Sequence, residues 1–125
     1  MGREKKIIGR LGEEAALQFL GREGYKIIET NFRTSFGELD AIAEHKDFIV
    51  FVEIKTRLTS SLGPPCLSVT KSKARHLVKN ALCFLKIRGC VESYWRIDVV
   101  SVKLNVNHEV EHIEIIENAI EDGYY

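Results

Sequence analysis

Two spacings of apolar residues alternate along the chain, and each spacing predicts one kind of element. Over residues 5–22, Ile8, Leu11, Ala15 and Phe19 recur at steps of three and four, which predicts an amphipathic helix that Gly24 ends. A second helix is predicted over residues 70–87 and is closed by Gly89. Its expected buried face consists of Ala74, Leu77, Val78, Ala81, Leu82 and Leu85.

Strand-like segments fill the rest of the chain. Extended structure is predicted for YKIIET (25–30), ELDAIAE (38–44), FIVFVEIKT (48–56) and SYWRIDVVSVKL (93–104). NFRTSFG (31–37) is predicted to be a turn, HKD (45–47) a polar reversal, and RLTSSLGPPCLS (57–68) an irregular loop. VEHIEIIENA (110–119) fits either an edge strand or a strand running into a terminal turn. The order of elements predicts one mixed α/β domain over residues 1–125.

Composition narrows the class of protein. Of the 125 residues, 45% are hydrophobic and 29% are charged, which is ordinary for a globular chain. No apolar run approaches the ~20 residues of a membrane span, and the amino terminus lacks the apolar stretch of a secretory signal. Three cysteines without Cys-x-x-Cys spacing argue against a disulfide framework or structural zinc. We therefore expect a cytoplasmic protein that has no membrane partner.

The charges are segregated although their sum is zero. Residues 54–91 contain eight Lys or Arg and no acid, whereas residues 105–125 contain six acids and no Lys or Arg. This segregation indicates a basic face and an acidic face. Basic residues on the second helix either contact phosphate or simply solvate that helix, and charge alone does not separate the two interpretations.

Acidic side chains interrupt two of the predicted strands. Glu38 and Asp40 share one strand face, as do Glu53 and Lys55. A hairpin loop with an even residue count would place Asp40 opposite Phe51 or Glu53, and an odd count would separate the acids. The alternative is an exposed hairpin whose acids pair with nearby cations.

Clustered carboxylates repel one another unless a cation joins them. Mg²⁺ typically takes one or two protein carboxylates together with phosphate oxygens of a substrate. Asp40 and Glu53, with the backbone carbonyl of Ile54, would supply oxygen ligands for Mg²⁺ or Mn²⁺. Lys55 would then orient an attacking water and stabilise negative charge on phosphorus.

These residues resemble a known signature. Asp40 followed by Glu53-Ile54-Lys55 resembles the (P)D…(D/E)xK motif of restriction-endonuclease-like nucleases, with Leu39 in place of the proline. GRLGEEAALQFL, GYKIIETNFRTSFGELDAIA, FVEIKTR, VTKSKARHL and WRIDVV together resemble the YraN-like family of small bacterial proteins, over nearly the whole chain. That family is similar in fold to archaeal Holliday-junction resolvases.

The resemblance implies a restriction-endonuclease-like αβββαβ core, with a mixed sheet flanked by helices, and a metal-dependent phosphodiester hydrolase site. It places Glu13 beside the metal, whereas Glu14 points about 100° away on the same helix. It implies a nuclease acting on DNA, including branched or junction DNA, and a homodimer as in resolvases. The alternatives are a non-catalytic nucleic-acid-binding or scaffold module and an RNA substrate.

Other residues receive simpler interpretations. Arg96 and Asp98 share a strand face and are expected to form an internal ion pair, although Asp98 could support the site. His45 and His76 are expected at the surface, and Trp95 and the tyrosines are expected to pack rather than stack on bases. The expected phosphate contacts are Arg57, Lys71, Lys73, Arg75 and Lys79.

Overall fold

A five-stranded mixed sheet carries one helix on each face. The computed structural model describes residues 2–59 and 69–120. Its elements, in chain order, are α1 Gly2–Arg22, β1 Lys26–Thr34, β2 Gly37–His45, β3 Phe48–Leu58, α2 Lys71–Ile87, β4 Trp95–Leu104 and β5 Val110–Ile116. The strands lie side by side in chain order, with β3 and β4 parallel and the other neighbours antiparallel. The expected αβββαβ core is confirmed, and β5 is an edge strand.

Local sequence explains where the helices begin and end. The Thr70 hydroxyl accepts a hydrogen bond from Lys73 N at 3.1 Å and caps the start of α2. Gly24 after α1 and Gly89 after α2 both have positive φ, at 89° and 66°, as expected of residues that end helices. The buried face of α2 differs from the expected one, because Leu82 is 45% exposed whereas Asn80 and Phe84 are buried.

The first hairpin corrects the expected turn over residues 31–37. β1 continues to Thr34, which pairs with Gly37, so that only Ser35 and Phe36 form the turn. β1 is an edge strand, and an edge strand keeps polar side chains in solvent. A polar stretch is therefore compatible with strand pairing here. Phe32 supplies the inward contact, and its ring meets that of Phe84 edge-on at 5.4 Å.

The second hairpin has the even loop that the acid cluster requires. Lys46 and Asp47 form a two-residue turn with φ of 49° and 67°, the positive values of a type I′ turn. The strands on either side pair Ile42 with Phe51 and Ala41 with Val52. The condition that brings Asp40 toward Glu53 is therefore met.

Two apolar clusters lie on opposite faces of the sheet. Phe51 packs in the cluster beneath α2, whereas Val50 and Val52 pack in the cluster beneath α1. A central strand covered on both faces reads as a continuous apolar run, which is the pattern of FIVFV. β3 therefore holds its polar residues only beyond Val52, at the end of its buried stretch.

Part of the chain lies outside the described residues. Most of the loop expected over residues 57–68 falls there, including Gly63, Pro64, Pro65 and Cys66, whereas Arg57 belongs to β3. Within residues 2–59 and 69–120, no helix combines the length and apolar character needed to cross a membrane.

Candidate active site

The site lies where β2 and β3 stop pairing. Their ladder reaches Ala41 and Val52, and the next positions in the same register are Asp40 and Glu53. The Ile54 N–H donates to Asp40 Oδ2 at 2.7 Å, so the carboxylate takes the place of a neighbouring strand carbonyl. The orientation of Asp40 is therefore set by the backbone of β3.

Asp40 and Glu53, hereafter the acid pair, interact directly. Burial raises the pKa of Asp40 from 3.8 to about 7, and the hydrogen bond from the Ile54 N–H opposes the rise. The negative charge of Glu53, a hydrogen bond between the two side chains, and the charge of Glu13 raise that pKa further. Asp40 is therefore partly protonated near neutral pH.

Glu53 has an oxygen that lacks a hydrogen-bond donor. Its side chain is 12% exposed, and Lys73 Nζ lies 3.2 Å from Oε2. That contact is short enough for an ion pair but lacks hydrogen-bond direction, and buried Oε2 has no hydrogen-bond partner among the described residues. Such an atom can bind a metal ion without losing a hydrogen bond, in exchange for its ion pair with Lys73.

Helix α1 brings a third carboxylate near the pair. A Cβ on Gly12 would overlap Thr56 Oγ1 and lie 2.6 Å from Thr56 Cγ2, so only glycine permits α1 to approach β3 this closely. Glu13, next in the helix, is half-buried, whereas Glu14 is exposed. Burial raises the pKa of Glu13, and the charge of Glu38 adds to the rise.

A cleft lies between α1 and the end of β3. Its volume is about 480 Å³, and it contains Glu13 and Arg57. The Nε of Arg57 is buried and has no hydrogen-bond partner within the described part of the chain. The cleft is lined by Lys5, Ile8, Gly9, Glu13, Ile54, Thr56, Arg57 and Leu58.

The acids do not converge into a three-carboxylate centre. Across residues 2–59 and 69–120, no group of three or more Asp, Glu, His or Cys is arranged to hold a metal ion. Glu13 is close enough for its charge to raise the pKa of Asp40, but it does not complete such a group. The two carboxylates of the acid pair and the carbonyl of Ile54 remain the candidate ligand set.

The remaining expected site residues are the lysine on β3 and the basic residues on α2. Lys55 lies two residues beyond Glu53 on β3, level with Ser101 of β4, and is half-buried. Lys73 contacts Glu53 instead of facing solvent alone. The other three expected phosphate contacts on α2, which are exposed at four-residue steps, are Lys71, Arg75 and Lys79.

The expected ion pair between Arg96 and Asp98 is confirmed, with Nε 2.9 Å from Oδ1 and Asp98 fully buried. The expected surface position of His45 is wrong, because it is 7% exposed and stacks on Tyr25 at 3.9 Å. Arg96 Nη2 lies 2.7 Å from His45 Nδ1, and the Tyr25 hydroxyl donates to Asp98 Oδ2 at 2.8 Å. His45 shares the strand parity of buried Ala41, a signal that could have indicated its burial.

This network lies apart from the acid pair. His45 occupies the end of β2 farther from Asp40, and Asp98 also accepts a hydrogen bond from Asn118 N at 2.9 Å. The partners of Asp98 are therefore those of a buried structural cluster. Trp95 packs edge-on against Phe51 at 5.8 Å, in agreement with its expected packing role.

Sequence comparison identifies the family. Residues 12–102 match the uncharacterised protein family UPF0102. The chain belongs to this family. Among its relatives, the UPF0102 protein of Caldicellulosiruptor saccharolyticus is 43% identical over 92% of this chain and 98% of its own length. The UPF0102 protein of Geobacter metallireducens is 40% identical over 99% of this chain and 100% of its own length. The resemblance to the YraN-like family is confirmed.

A solved structure shows only weak similarity. Pyrococcus furiosus SfsA in complex with Ca²⁺ has a TM-score of 0.36 and 18% identity, with 92% of this chain and 63% of that chain covered. This similarity is too low to support a statement about activity or metal binding here.

Proposed function

We propose that this UPF0102 protein is a metal-dependent nuclease that hydrolyses phosphodiester bonds in DNA, including branched or junction DNA. The observation that supports the proposal is the acid pair at the end of the β2–β3 ladder. Its Glu53 Oε2 is buried and accepts no hydrogen bond within the described residues. Two adjacent carboxylates, one of which has an oxygen without a hydrogen-bond donor, fit a divalent cation.

The chain offers a ligand set of the kind Mg²⁺ or Mn²⁺ accepts. Asp40, Glu53 and the carbonyl of Ile54 would hold the ion, with Glu13 near enough to support it or its water. A bound divalent cation would supply charge neutralisation for the acids and for the phosphate of the substrate. Two protein carboxylates suffice for Mg²⁺, which usually keeps several waters, so a third converging acid is unnecessary.

Residues of the chain orient the acid pair, activate the water and bind the flanking phosphates. The Ile54 N–H fixes Asp40, so that its second oxygen keeps one orientation. Lys55 lies on the same strand as Glu53 and orients the attacking water while stabilising negative charge on phosphorus. The exposed cations of α2 and Arg57 bind flanking phosphates. As in resolvases, a homodimer would match the two symmetric cut sites of a junction.

The test is a cleavage panel with single-stranded, duplex, flap and four-way-junction DNA in Mg²⁺ or Mn²⁺. Asp40→Ala and Glu53→Ala should abolish cleavage while circular dichroism shows a folded protein. Glu14→Ala is the control for the loss of an acidic side chain, because Glu14 is exposed and lies outside the acid pair. Full cleavage by either acid-pair variant would refute the assignment.

A second candidate is a nucleic-acid-binding scaffold that lacks catalysis. It is favoured by the contact of Lys73 with Glu53, because an ammonium group then partly neutralises the acid without a metal. Calorimetric titration with Mn²⁺ separates the two proposals. The nuclease should give binding heat that disappears in Glu53→Ala, whereas the scaffold should give none and should bind DNA in a metal-independent, salt-sensitive manner.

A further inference from the structure

The turn between β1 and β2 is held against α2 by a buried amide. The Thr34 hydroxyl hydrogen-bonds to Asn80 Oδ1, and Asn80 is 1% exposed. The Phe36 N–H donates to Thr34 Oγ1 at 3.0 Å, and Gly37 completes the turn with φ of 127°. The backbone that carries Phe36 is therefore fixed at two points.

The Phe36 ring itself is left in solvent. It is 41% exposed although it is a large apolar side chain on a fixed turn. Lys79 Nζ lies 5.4 Å from the ring centroid, which is a cation–π distance. An exposed aromatic ring beside a lysine is thus presented at the tip of the hairpin.

The turn that carries Phe36 lies near both the acid pair and the exposed cations of α2. Asp40 follows Phe36 by four residues, and at ~3.3 Å per strand residue their Cα atoms are separated by at most roughly 13 Å. Lys79 continues the exposed row of Lys71 and Arg75 along α2. The separation of roughly 13 Å between Phe36 and Asp40 corresponds to about four nucleotide steps of 3.4 Å. A strand lying on α2 could therefore reach the acid pair and the ring together.

We propose that Phe36 is a base-stacking platform that binds an unpaired base of the nucleic-acid substrate, while Lys79 contacts an adjacent phosphate. Stacking on aromatic side chains requires an open base face, and bases inside a duplex already stack on their neighbours. The inference rests on the proposed function and narrows its substrate to DNA with a single-stranded segment a few nucleotides from the cleaved bond. Lys79 at the ring and the exposed Lys71 and Arg75 on the same helix favour a nucleic acid over an apolar protein partner.

The test uses binding, so that it does not depend on cleavage. A 20-nucleotide single strand containing 2-aminopurine is titrated in EDTA, with anisotropy reporting affinity and quenching reporting stacking. Phe36→Leu removes the aromatic face and should weaken binding by about five-fold or more, with loss of quenching. Phe36→Tyr should keep both. Tyr94→Leu is the matched control, because Tyr94 is 74% exposed beside Phe48 at the far end of β3, and it should change neither.

Two further measurements define the outcome. Lys79→Gln should lower the salt slope of binding by about one while preserving quenching. An intact duplex of the same sequence should bind more weakly and without quenching. Unchanged affinity and quenching in Phe36→Leu would overturn the proposal, as would self-association that Phe36→Leu abolishes without any effect on DNA binding.

The outcomes distinguish this inference from the nuclease proposal. Quenching that depends on Phe36 in a protein that never cleaves DNA supports the platform and leaves the scaffold as the function. Cleavage that depends on the acid pair but is indifferent to Phe36→Leu, with unchanged quenching, supports the nuclease and overturns the platform. A protein that binds no DNA overturns both.

Discussion

Neutralising Asp40 should change how the stability of the protein depends on pH. Asp40→Asn keeps a side-chain oxygen that can accept from the Ile54 N–H at the position of Oδ2, and it removes the charge beside Glu53. The variant therefore preserves the local hydrogen bond while abolishing the carboxyl group whose pKa is raised. Experiments are done in EDTA so that no divalent cation offsets the charge.

The size of the change in stability with pH follows from the shift in the pKa of Asp40. The pKa of Asp40 in the folded chain is about 7, against 3.8 ordinarily, so the folded state binds one more proton than the unfolded state between these values. Stability from this proton is fully present below about pH 4 and is lost as pH rises through 7. One pKa unit corresponds to about 1.4 kcal/mol. Between pH 5 and pH 8 the wild type should lose roughly 2 to 3 kcal/mol that Asp40→Asn retains.

Chemical denaturation at pH 5, 6, 7 and 8 measures this difference. The wild type is compared with Asp40→Asn at each pH, because all other ionisable groups are common to both proteins. The variant should gain in free energy of unfolding relative to wild type as pH rises to 7, and the gain should then level off. Glu53→Gln should reduce the same pH dependence, because the charge of Glu53 is one cause of the shift. A difference independent of pH would refute the reasoning.

The other predictions concern packing and buried charge. Gly12→Ala should destabilise the fold by about 1–3 kcal/mol, because its Cβ would overlap Thr56. Gly9→Ala on the same helix meets no atom within 4 Å and should stabilise the fold by about 0.5–1 kcal/mol. Thermal unfolding compares the two variants, and equal effects would contradict the close approach of α1 to β3. Arg96→Ala should cost about 3–5 kcal/mol in denaturation experiments because it leaves the carboxylate of fully buried Asp98 without its cation, and a loss under 1 kcal/mol would show that the pair contributes little.

Much of the fold follows from patterns that are local in sequence. Apolar residues at helical spacing predict α1 and α2, and the Thr70 cap and Gly89 mark the limits of the second helix. The continuous apolar run of β3 predicts a central strand. The predicted turn over residues 31–37 is wrong at the end of β1. This end is an edge strand whose apolar inward residue is Phe32, and its polar residues resemble a turn in composition.

Only part of the candidate site could be predicted from the sequence. Strand parity limited the partner of Asp40 to Phe51 or Glu53, but only the two-residue turn at Lys46 and Asp47 settles which register the hairpin takes. The sequence cannot show that Lys73 contacts Glu53, since the two belong to different elements. Nor does it show that the Phe36 ring is exposed beside Lys79, because that contact depends on how the hairpin docks on α2.

The helices, the central strand, the family and the residue types of the clustered acids can be predicted from the order of residues alone, because each depends on neighbouring residues or on short repeats of spacing. Three properties depend on how the chain folds: which acid has an oxygen without a hydrogen-bond donor, the burial of His45, and the position of a cation over an aromatic ring. Those properties arise from contacts between segments far apart in the chain. Burial and the charges of neighbouring groups, rather than residue type, set the pKa and the hydrogen bonding of a side chain.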